Sequence, residues 1–452
     1  IEVLTDARVE NVDFDNNLVN ASINGEKRQF KYTHAIIATG SEPVVPPVID
    51  QVDYLKDRVE QVRGKQRIMF CKNYQDSLKL AQIKHPAKVC VIGAGPSGME
   101  MISSIAAAGS EVTAIDRNGT WFEKQFDKEI AEVFLECLRE NGVKTYLSCR
   151  VNKIVETENE VQILIEMQEK QKINVYQLIF DYVVVCTGFS PNTRKILNNN
   201  LVQQKQKLQN LNGAIVTNHH RQTTMENVYA AGDCSTVLSY LLQKNLYFPL
   251  STNAVRDAIL AAYNVSGISL PYKGSNHTIA THLFGYSLAK TGFHQQVAEK
   301  LFQNVRSTQS SDYLYHSYRR RYVEKVVQKE KLNKLFDVYG DIVRGCADML
   351  VDSFELDLEK QKCNIVRVVL CFNEITGQIY GAQCLGQQDI TQKMNTVSLA
   401  MNQQVTVDEI AQMDFGGFCG DEKPWNVLTL AAASKDLLTV DFECEYLLSD
   451  VE

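Results

Sequence analysis

The feature that most constrains this chain is the segment KVCVIGAGPSG at residues 88–98. An apolar run, typical of a strand buried on both faces of a parallel sheet, leads into Gly93, Gly95 and Gly98, which have the spacing G-x-G-x-x-G. The first glycine permits a tight turn, the second lets the backbone approach a pyrophosphate, and the third lets a helix pack closely on the sheet. Because the helix N-terminus adds free N–H groups, the segment predicts a dinucleotide site.

The next strand of the same unit, EVTAID, ends at Asp116, 18 residues after Gly98. A carboxylate at roughly this spacing accepts hydrogen bonds from a ribose 2′-hydroxyl and repels a 2′-phosphate. The spacing therefore favours NADH over NADPH, and Arg117, which follows at once, tempers that preference.

Apolar periodicity predicts the organisation of the remaining chain. Residues 1–40 have the pattern of short strands joined by turns, with a strand already running at Ile1. Helical spacing over 128–142 ends at Gly142, and a second helix is predicted over 251–264. Residues 271–452 mix strand-like and helical runs, which predicts a separate α+β domain.

Three further strand ends carry glycine motifs, namely IIATG at 36–40, VVVCTGFSPNT at 183–193 and NVYAAGDC at 227–234. This order, with the fingerprint between the first two, resembles the flavoprotein reductases of the pyridine nucleotide-disulfide oxidoreductase family. The resemblance implies an α/β fold with two dinucleotide-binding domains, of which the FAD domain is incomplete here and the NAD domain is inserted into it. It also implies a C-terminal α+β dimerisation domain, and hence a homodimer.

The resemblance also implies domain boundaries. Residues 1–67 are the remainder of the first FAD-domain segment, and 68–188 form the NAD-binding domain. Residues 189–270 are the second FAD-domain segment. Residues 271–452 form the interface domain, with a charged, tyrosine-rich insertion near 305–360 that we interpret as a solvated helical segment.

Residue roles follow by the same resemblance. Asp233 bonds the ribityl-pyrophosphate region of FAD, a helix beginning near Leu250 points at the flavin pyrimidine edge, and Glu100 lies near the nicotinamide. The residues implied for FAD are Ala38, Thr39, Gly40, Gly232, Asp233, Leu250, Ser251 and Thr252. Those implied for NAD are Gly93, Gly95, Pro96, Ser97, Gly98, Glu100, Asp116 and Gly188.

The later segments LFGYSLAKTGF and MDFGGFCGDEKPWNVLTLAAAS are similar to the branch of NADH oxidases, NADH peroxidases and coenzyme A-disulfide reductases. The Pro424-Trp425-Asn426 run is most like the NADH oxidases. Residues 305–360 make this region longer than the resemblance leads us to expect.

The chain departs from the family pattern at several positions. The family opens with its own G-x-G-x-x-G and a redox-active cysteine in a Gly-Cys-Gly setting. Because the first residue here is Ile1, we expect both to lie upstream, in an N-terminal segment that this chain lacks. Pro96 stands where an aromatic residue usually gates the nicotinamide, and Cys419-Gly420-Asp421 replaces the oxidases' usual Pro-His-Phe run.

Composition limits the possible partners. The net charge of −7 argues against a nucleic-acid or anionic-membrane surface, and no apolar run approaches the roughly 18 residues that span a bilayer. The 12 cysteines form no C-x-x-C and no zinc-like pattern with histidine, so we expect free thiols, a cytoplasmic location and no metal site.

Three functions stay open at this point. The first is an FAD-dependent NADH oxidase that passes electrons to O2, with water as the product by resemblance. The second is a disulfide or peroxide reductase on the same scaffold. The third, from a different class, is a degenerate protein that binds NADH without redox chemistry, suggested by Pro96 and by the missing histidine.

Overall fold

The computed structural model describes residues 1–53, 57–117, 125–169, 172–197, 208–313, 365–386, 390–415 and 426–433. It divides into two compact units. The first unit comprises residues 1–124 and 134–277, and the second comprises 125–133 and 278–452.

The first unit contains most of the strands. They are β1 (Ala7–Asp13), β2 (Leu18–Ile23), β3 (Glu26–Lys31), β4 (Ala35–Ile37), β5 (Ser41–Pro43), β6 (Ile68–Phe70), β7 (Lys88–Ile92), β8 (Glu111–Ile115), β9 (Lys144–Tyr146), β10 (Cys149–Glu156), β11 (Val161–Glu169), β12 (Lys172–Phe180), β13 (Tyr182–Val185), β14 (Phe189–Pro191), β15 (Asn210–Leu211), β16 (Ala214–Ile215), β17 (Val228–Ala230), β18 (Val237–Leu238) and β19 (Asn245–Leu246). Its helices are α1 (Arg58–Arg63), α2 (Tyr74–Leu80), α3 (Pro96–Ala107), α4 (Lys128–Glu140, shared with the second unit), α5 (Arg194–Leu197) and α6 (Ser251–Val265).

The central sheet of the first unit is parallel and five-stranded, in the order β6-β13-β7-β8-β9. Its middle strands are near-continuous apolar runs because both faces are covered, and Val89, Val91, Val183 and Val184 are fully buried. Helix α3 packs on β7 and β8. Since the strands are parallel, the residues that follow them gather at one edge of the sheet, and this edge carries the glycine-rich turn.

Smaller sheets complete the first unit. Strands β4 and β17 pair in parallel, with Ala230 opposite Ile37, so IIATG and NVYAAGDC end side by side. Strands β5 and β14 pair antiparallel. Two three-stranded antiparallel sheets have the orders β1-β2-β3 and β10-β11-β12.

The second unit is built on an antiparallel five-stranded sheet in the order β20-β21-β24-β23-β22. Its strands are β20 (Ile279–Leu283), β21 (Tyr286–Gly292), β22 (Val305–Tyr313), β23 (Ile365–Asn373) and β24 (Ile379–Gly386). Its own helices are α7 (Gln295–Leu301), α8 (Thr391–Asn402), α9 (Val407–Ala411) and α10 (Val427–Ala433). Every residue of β24 is buried, because α8 packs on it and on β21.

Residues 125–133 join the second unit through the buried residue Asp127. Its carboxylate accepts hydrogen bonds from the Gln295 N–H at 3.0 Å and from the Gln383 side-chain amide. Its own N–H donates to Gln383 Oε1 at 2.6 Å. Nearby, Lys290 Nζ donates to the Gln125 carbonyl at 3.3 Å. These bonds tie the start of α4 to α7 and β24.

Lowering the pH from 7 to 5 is expected to destabilise the second unit through His294. Burial, reinforced by the charges of Lys290 and Lys300, lowers the pKa of His294 to about 4. The folded state therefore binds the proton less tightly, and stability that is present above pH 6.5 is lost as the pH falls towards 4. The expected loss at pH 5 is about 2 kcal/mol. Urea unfolding of wild type and His294→Gln at both pH values measures it, and an identical pH dependence in the two proteins would contradict it.

The helices predicted over 128–142 and 251–264 are present, each within a few residues of the predicted bounds. The strand expected at Ile1 was placed too early, because β1 begins at Ala7. Its partner β2 ends at Ile23, opposite Ala7, and turns at Asn24, so no strand is available to pair with the first residues. The domain boundaries stay predictions. The second unit of the structure resumes at residue 278, whereas the predicted interface domain begins at residue 271.

No helix in the described ranges is long and apolar enough to span a bilayer.

Candidate functional site

The glycine-rich turn joins β7 to α3 and leaves no room for side chains at two of its glycines. A Cβ built on Gly93, whose φ is +98°, would lie 2.3 Å from the Cys186 carbonyl oxygen. A Cβ built on Gly98 would lie 1.8 Å from the Gly93 carbonyl oxygen. The turn is thus closed against β13 on one side and against α3 on the other.

Gly95 differs from the other two glycines because a Cβ there would meet nothing within 4 Å. It is the N-cap residue of α3, with extended backbone and no side-chain capping bond, and Pro96 follows at the first helical position. Since the first amides of a helix have no partner within the helix, those of Ser97 and Gly98 are suited to an anionic group above Gly95. The open space beside Gly95 fits the close backbone approach expected of it.

Asp116 directly follows β8 and lies beside the turn. Its Oδ2 accepts the Ala94 N–H at 2.8 Å, and its own N–H donates to the Tyr146 carbonyl at 3.0 Å. These bonds hold the carboxylate at the same edge as Gly95. Glu100 is exposed on the second turn of α3.

Gly188 lies on the connection that leaves the end of β13. Its φ is +100°, and its carbonyl accepts the Val44 N–H at 2.9 Å. The Thr187 hydroxyl donates to the Val44 carbonyl at 2.7 Å. These two bonds tie the end of the central sheet to β5, which follows the IIATG motif.

The second group of predicted residues follows the paired strands β4 and β17. Ala38 and Thr39 are exposed after β4, and Gly40 has a φ of +69°. Gly232 opens a 3₁₀ turn over Gly232–Cys234 with a φ of +77°, and a Cβ there would lie 3.3 Å from the Ala254 side chain of α6. The structure therefore brings these two motifs to one edge.

Asp233 is the centre of this second group. Its Oδ2 accepts the Ser41 hydroxyl at 2.7 Å and Lys72 Nζ at 2.9 Å. Lys72 Nζ also lies 4.4 Å from the centroid of the Phe189 ring. The Tyr247 hydroxyl is buried without a hydrogen bond in the structure, and burial, with the negative charge of Asp233, raises the pKa of Tyr247 to about 12.

Four residues of this group were not predicted from the sequence, namely Ser41, Lys72, Phe189 and Tyr247. Lys72 follows β6 by two residues, and Phe189 begins β14, directly after the glycine that ends the β13 connection. A basic residue just beyond a parallel strand is the only signal that the sequence offered for Lys72. Asp233 is 161 residues away from it, so the pairing is visible only in the fold.

Helix α6 begins beside this group. Leu250 is its N-cap with extended backbone and no side-chain capping bond, and Ser251 and Thr252 are exposed in its first turn. Deeper in the helix, Asp257 is paired with Arg221 at 2.9 Å, and each side chain is 1% exposed. Burial, opposed by Arg221 and by the Gly232 N–H, raises the pKa of Asp257 to about 6.

The run Cys419-Gly420-Asp421 and residues Pro424 and Trp425 lie outside the described residues, as do residues 314–360 of the insertion predicted near 305–360. Its described part is strand β22, so the helical interpretation is wrong there, because these residues pair with β23. Within the part of the chain that the structure describes, no group of three or more His, Cys, Asp or Glu side chains is arranged to hold a metal ion.

Comparison with known proteins places these motifs in a family. The model of the pyridine nucleotide-disulphide oxidoreductases matches residues 1–258. The NADH oxidase of Enterococcus faecalis is 28% identical over 433 residues, which cover 94% of this chain and 81% of that protein. The NAD(P)H coenzyme A polysulfide/persulfide reductase of Pyrococcus horikoshii is 27% identical over 337 residues, which cover 73% of this chain and 69% of that protein.

The solved structure of the water-forming NADH oxidase from Lactobacillus brevis, bound to NADH, is also similar. It has a TM-score of 0.73 and 23% identity, and the match covers 95% of this chain and 81% of that one. At this identity the similarity establishes the fold, with its parallel sheet and its C-terminal antiparallel sheet.

Proposed function

Because this chain belongs to the pyridine nucleotide-disulphide oxidoreductase family, we propose that it is an FAD-dependent NADH oxidase that passes electrons from NADH to dioxygen. The observation that carries this proposal is the junction at Asp233. Lys72 follows β6 of the central sheet by two residues and contacts Asp233, while its Nζ lies over the ring of Phe189, which begins β14. These contacts link one edge strand of the central sheet to the Asp233 group, which supports a site where two dinucleotides could meet for hydride transfer.

NADH fits the turn between β7 and α3. The open space beside Gly95 admits a pyrophosphate, and the N-terminal amides of α3 favour its charge. Asp116 is held at the turn by the Ala94 N–H and offers its carboxylate to a ribose hydroxyl. Pro96 removes an N–H that a helix leaves unpaired in any case, so it is compatible with this binding mode.

The residues around Asp233 fit the polar part of FAD. Asp233 is a carboxylate acceptor at a strand end, the Tyr247 hydroxyl is buried without a bond, and α6 begins nearby without a side-chain cap. Ala38, Thr39, Gly40 and Gly232 would line the same edge. When bound there, FAD supplies the two-electron chemistry that the side chains lack.

The chain's own groups would position and stabilise the reactants. The positive end of α6 would stabilise negative charge at the flavin pyrimidine edge. Lys72 would hold Asp233 in place through their 2.9 Å contact, and Glu100 would lie near the nicotinamide. We also propose a homodimer formed through the interface domain predicted at residues 271–452. We propose a cytoplasmic location, which the free thiols of the eight described cysteines support.

Oxygen uptake with NADH tests the oxidase proposal. The purified full-length protein, supplied with FAD, should become yellow, lose its flavin absorbance on anaerobic addition of NADH, and then consume one O2 for every two NADH if water is the product. Consumption of one O2 for each NADH, with accumulation of hydrogen peroxide, would show that the product is peroxide rather than water. Reduction of a coenzyme A polysulfide or persulfide in place of O2 would favour the reductase function named for the Pyrococcus relative. If the protein binds NADH but its flavin is not reduced, the oxidase proposal is wrong and the protein binds NADH without redox chemistry.

Substituting alanine for Asp116 is expected to weaken the preference for NADH over NADPH by roughly tenfold or more, because a charged hydrogen bond is lost and repulsion of a 2′-phosphate is removed. The ratio of kcat/KM for the two nucleotides measures this. Asp116→Asn is the matched control, since its amide oxygen can still accept the Ala94 N–H. It should retain NADH binding more fully than alanine does. An unchanged preference in both variants would mean that Asp116 does not select the nucleotide.

A further inference from the structure

Two cysteines with no role in the proposed reaction lie at the edge of the central sheet. Cys71 directly follows β6 and Cys186 directly follows β13. These strands are parallel neighbours, with Val185 opposite Phe70, so the next residue of each continues the same register. Neighbouring strands are about 4.8 Å apart, which lies within the Cα separation of roughly 4.4–6.8 Å that a disulfide spans.

Both thiols lie on the face of the sheet that α3 covers. The Cβ of Cys186 is 3.4 Å from the position that a Cβ on Gly98 would occupy. Directly opposed residues of paired strands point to the same side, which places Cys71 on this face too. Consistently, burial raises the pKa of both thiols, with smaller contributions from Asp76 and Glu100 at Cys71 and from Cys71 and Glu100 at Cys186.

Exposure distinguishes this pair from the other thiols. Cys71 and Cys186 are partly exposed. The remaining described cysteines are buried, namely Cys90, Cys137, Cys149, Cys234, Cys371 and Cys384. Cys90 and Cys149 are also neighbours, but both lie in the hydrophobic core. The pair at the sheet edge is thus more accessible to a reagent than the pair of Cys90 and Cys149.

We propose that Cys71 and Cys186 are a dithiol modification site that a low-molecular-weight disulfide oxidises to an intramolecular disulfide. One thiolate attacks the reagent and releases a first thiol, and the second cysteine then displaces the other half. The S–S bond of the reagent breaks, a bond forms between the two Sγ atoms, and the two protons leave on the released thiols. No other oxidant is required.

The cross-link should alter NADH binding, a consequence that rests on the proposed function. The Cys186 carbonyl lies against Gly93, and the Cys186 side chain faces Gly98. Forming the cross-link fixes the rotamer of the Cys186 side chain, which packs against Gly98, and so changes the packing beneath the glycine-rich turn. Because that turn has no spare space at either glycine, a small displacement of Cys186 displaces the turn.

The rate should depend steeply on pH. Burial raises the pKa of Cys186 to about 12 and also raises that of Cys71, so both are protonated at neutral pH. Since the thiolate is the attacking species, oxidation should accelerate about tenfold per pH unit between pH 7 and 9. The site therefore responds to sustained exposure to disulfide rather than to brief exposure.

The test treats the reduced full chain with oxidised glutathione and maps its peptides without reduction. We expect a peptide linking Cys71 to Cys186, a dissociation constant for NADH at least about tenfold higher, and recovery with dithiothreitol. Cys71→Ser should bind NADH normally and form no linked peptide, with at most a mixed disulfide of glutathione on Cys186. Cys149→Ser, which changes the buried pair, should still form the link.

The outcomes distinguish the dithiol modification site from its proposed effect on NADH binding. Absence of the linked peptide after prolonged treatment at pH 9 overturns the modification site. A linked peptide with unchanged NADH affinity overturns its effect on the turn. If the reduced protein does not bind NADH at all while the link still forms, the proposed NADH site fails and the dithiol site stands.

Discussion

Substituting alanine for Gly98 is expected to destabilise the first unit by about 3 kcal/mol or more and to abolish NADH binding. The added Cβ would lie 1.8 Å from the Gly93 carbonyl oxygen, which is backbone and cannot move aside alone. Either α3 must shift away from β7 or the turn must open, and both movements disrupt the phosphate site. Urea unfolding and titration with NADH measure the two effects.

Gly95→Ala is the matched control in the same turn. Gly95 has a φ of −74°, which alanine adopts without strain, and a Cβ there would meet no heavy atom within 4 Å. We expect its stability to change by less than about 1 kcal/mol, with weaker NADH binding because the methyl group occupies the space proposed for the pyrophosphate. A stable Gly95→Ala protein that binds NADH normally would show that the dinucleotide does not bind above this glycine. Equal stability losses in the two variants would contradict the packing argument.

Removing the carboxylate of Asp257 is expected to destabilise the first unit by about 3–5 kcal/mol. Asp257→Ala leaves Arg221 buried without its counter-charge, at 1% exposure. Arg221 also donates to the Thr236 carbonyl at 3.0 Å and to the Ser235 hydroxyl at 2.7 Å, directly after the 3₁₀ turn that carries Asp233. FAD retention should therefore fall together with stability.

A double variant separates the ion pair from simple loss of packing. Arg221→Met combined with Asp257→Leu removes both charges, and we expect it to be more stable than Asp257→Ala alone, since apolar residues of similar volume often replace buried ion pairs without loss. The exposed pair of Lys144 and Glu111, at 68% and 64% exposure, provides the comparison, and Glu111→Ala should cost less than about 1 kcal/mol. If Asp257→Ala costs no more than Glu111→Ala, the buried pair does not support this turn.

Local patterns were sufficient for much of the fold. The glycines, the apolar strand and Asp116 occupy one continuous strand–turn–helix–strand unit, and each is constrained by near neighbours in sequence. Helices α4 and α6 were predicted for the same reason, because apolar spacing and a terminating residue act within a few turns. The error at Ile1 shows the limit of such patterns, since a strand ends where its partner ends, and β2 turns away at Asn24.

Local sequence patterns could not predict that residues 125–133 belong to the second unit. Asp127 is acidic and precedes a helix, a pattern typical of an ordinary N-terminal cap. In the structure its carboxylate instead bonds Gln295 and Gln383, 168 and 256 residues away. Spacing along the chain carries no information about such contacts.

The dinucleotide turn, the order of the motifs and, through them, the family follow from the amino-acid sequence. These features depend on backbone geometry that only glycine permits and on apolar periodicity, both of which are local. Three pairings are visible only in the folded chain, namely Lys72 with Asp233, Arg221 with Asp257, and Cys71 with Cys186. The physical reason is that each pairing depends on parallel strands or packed helices meeting in space, and the chain between the partners can have almost any length.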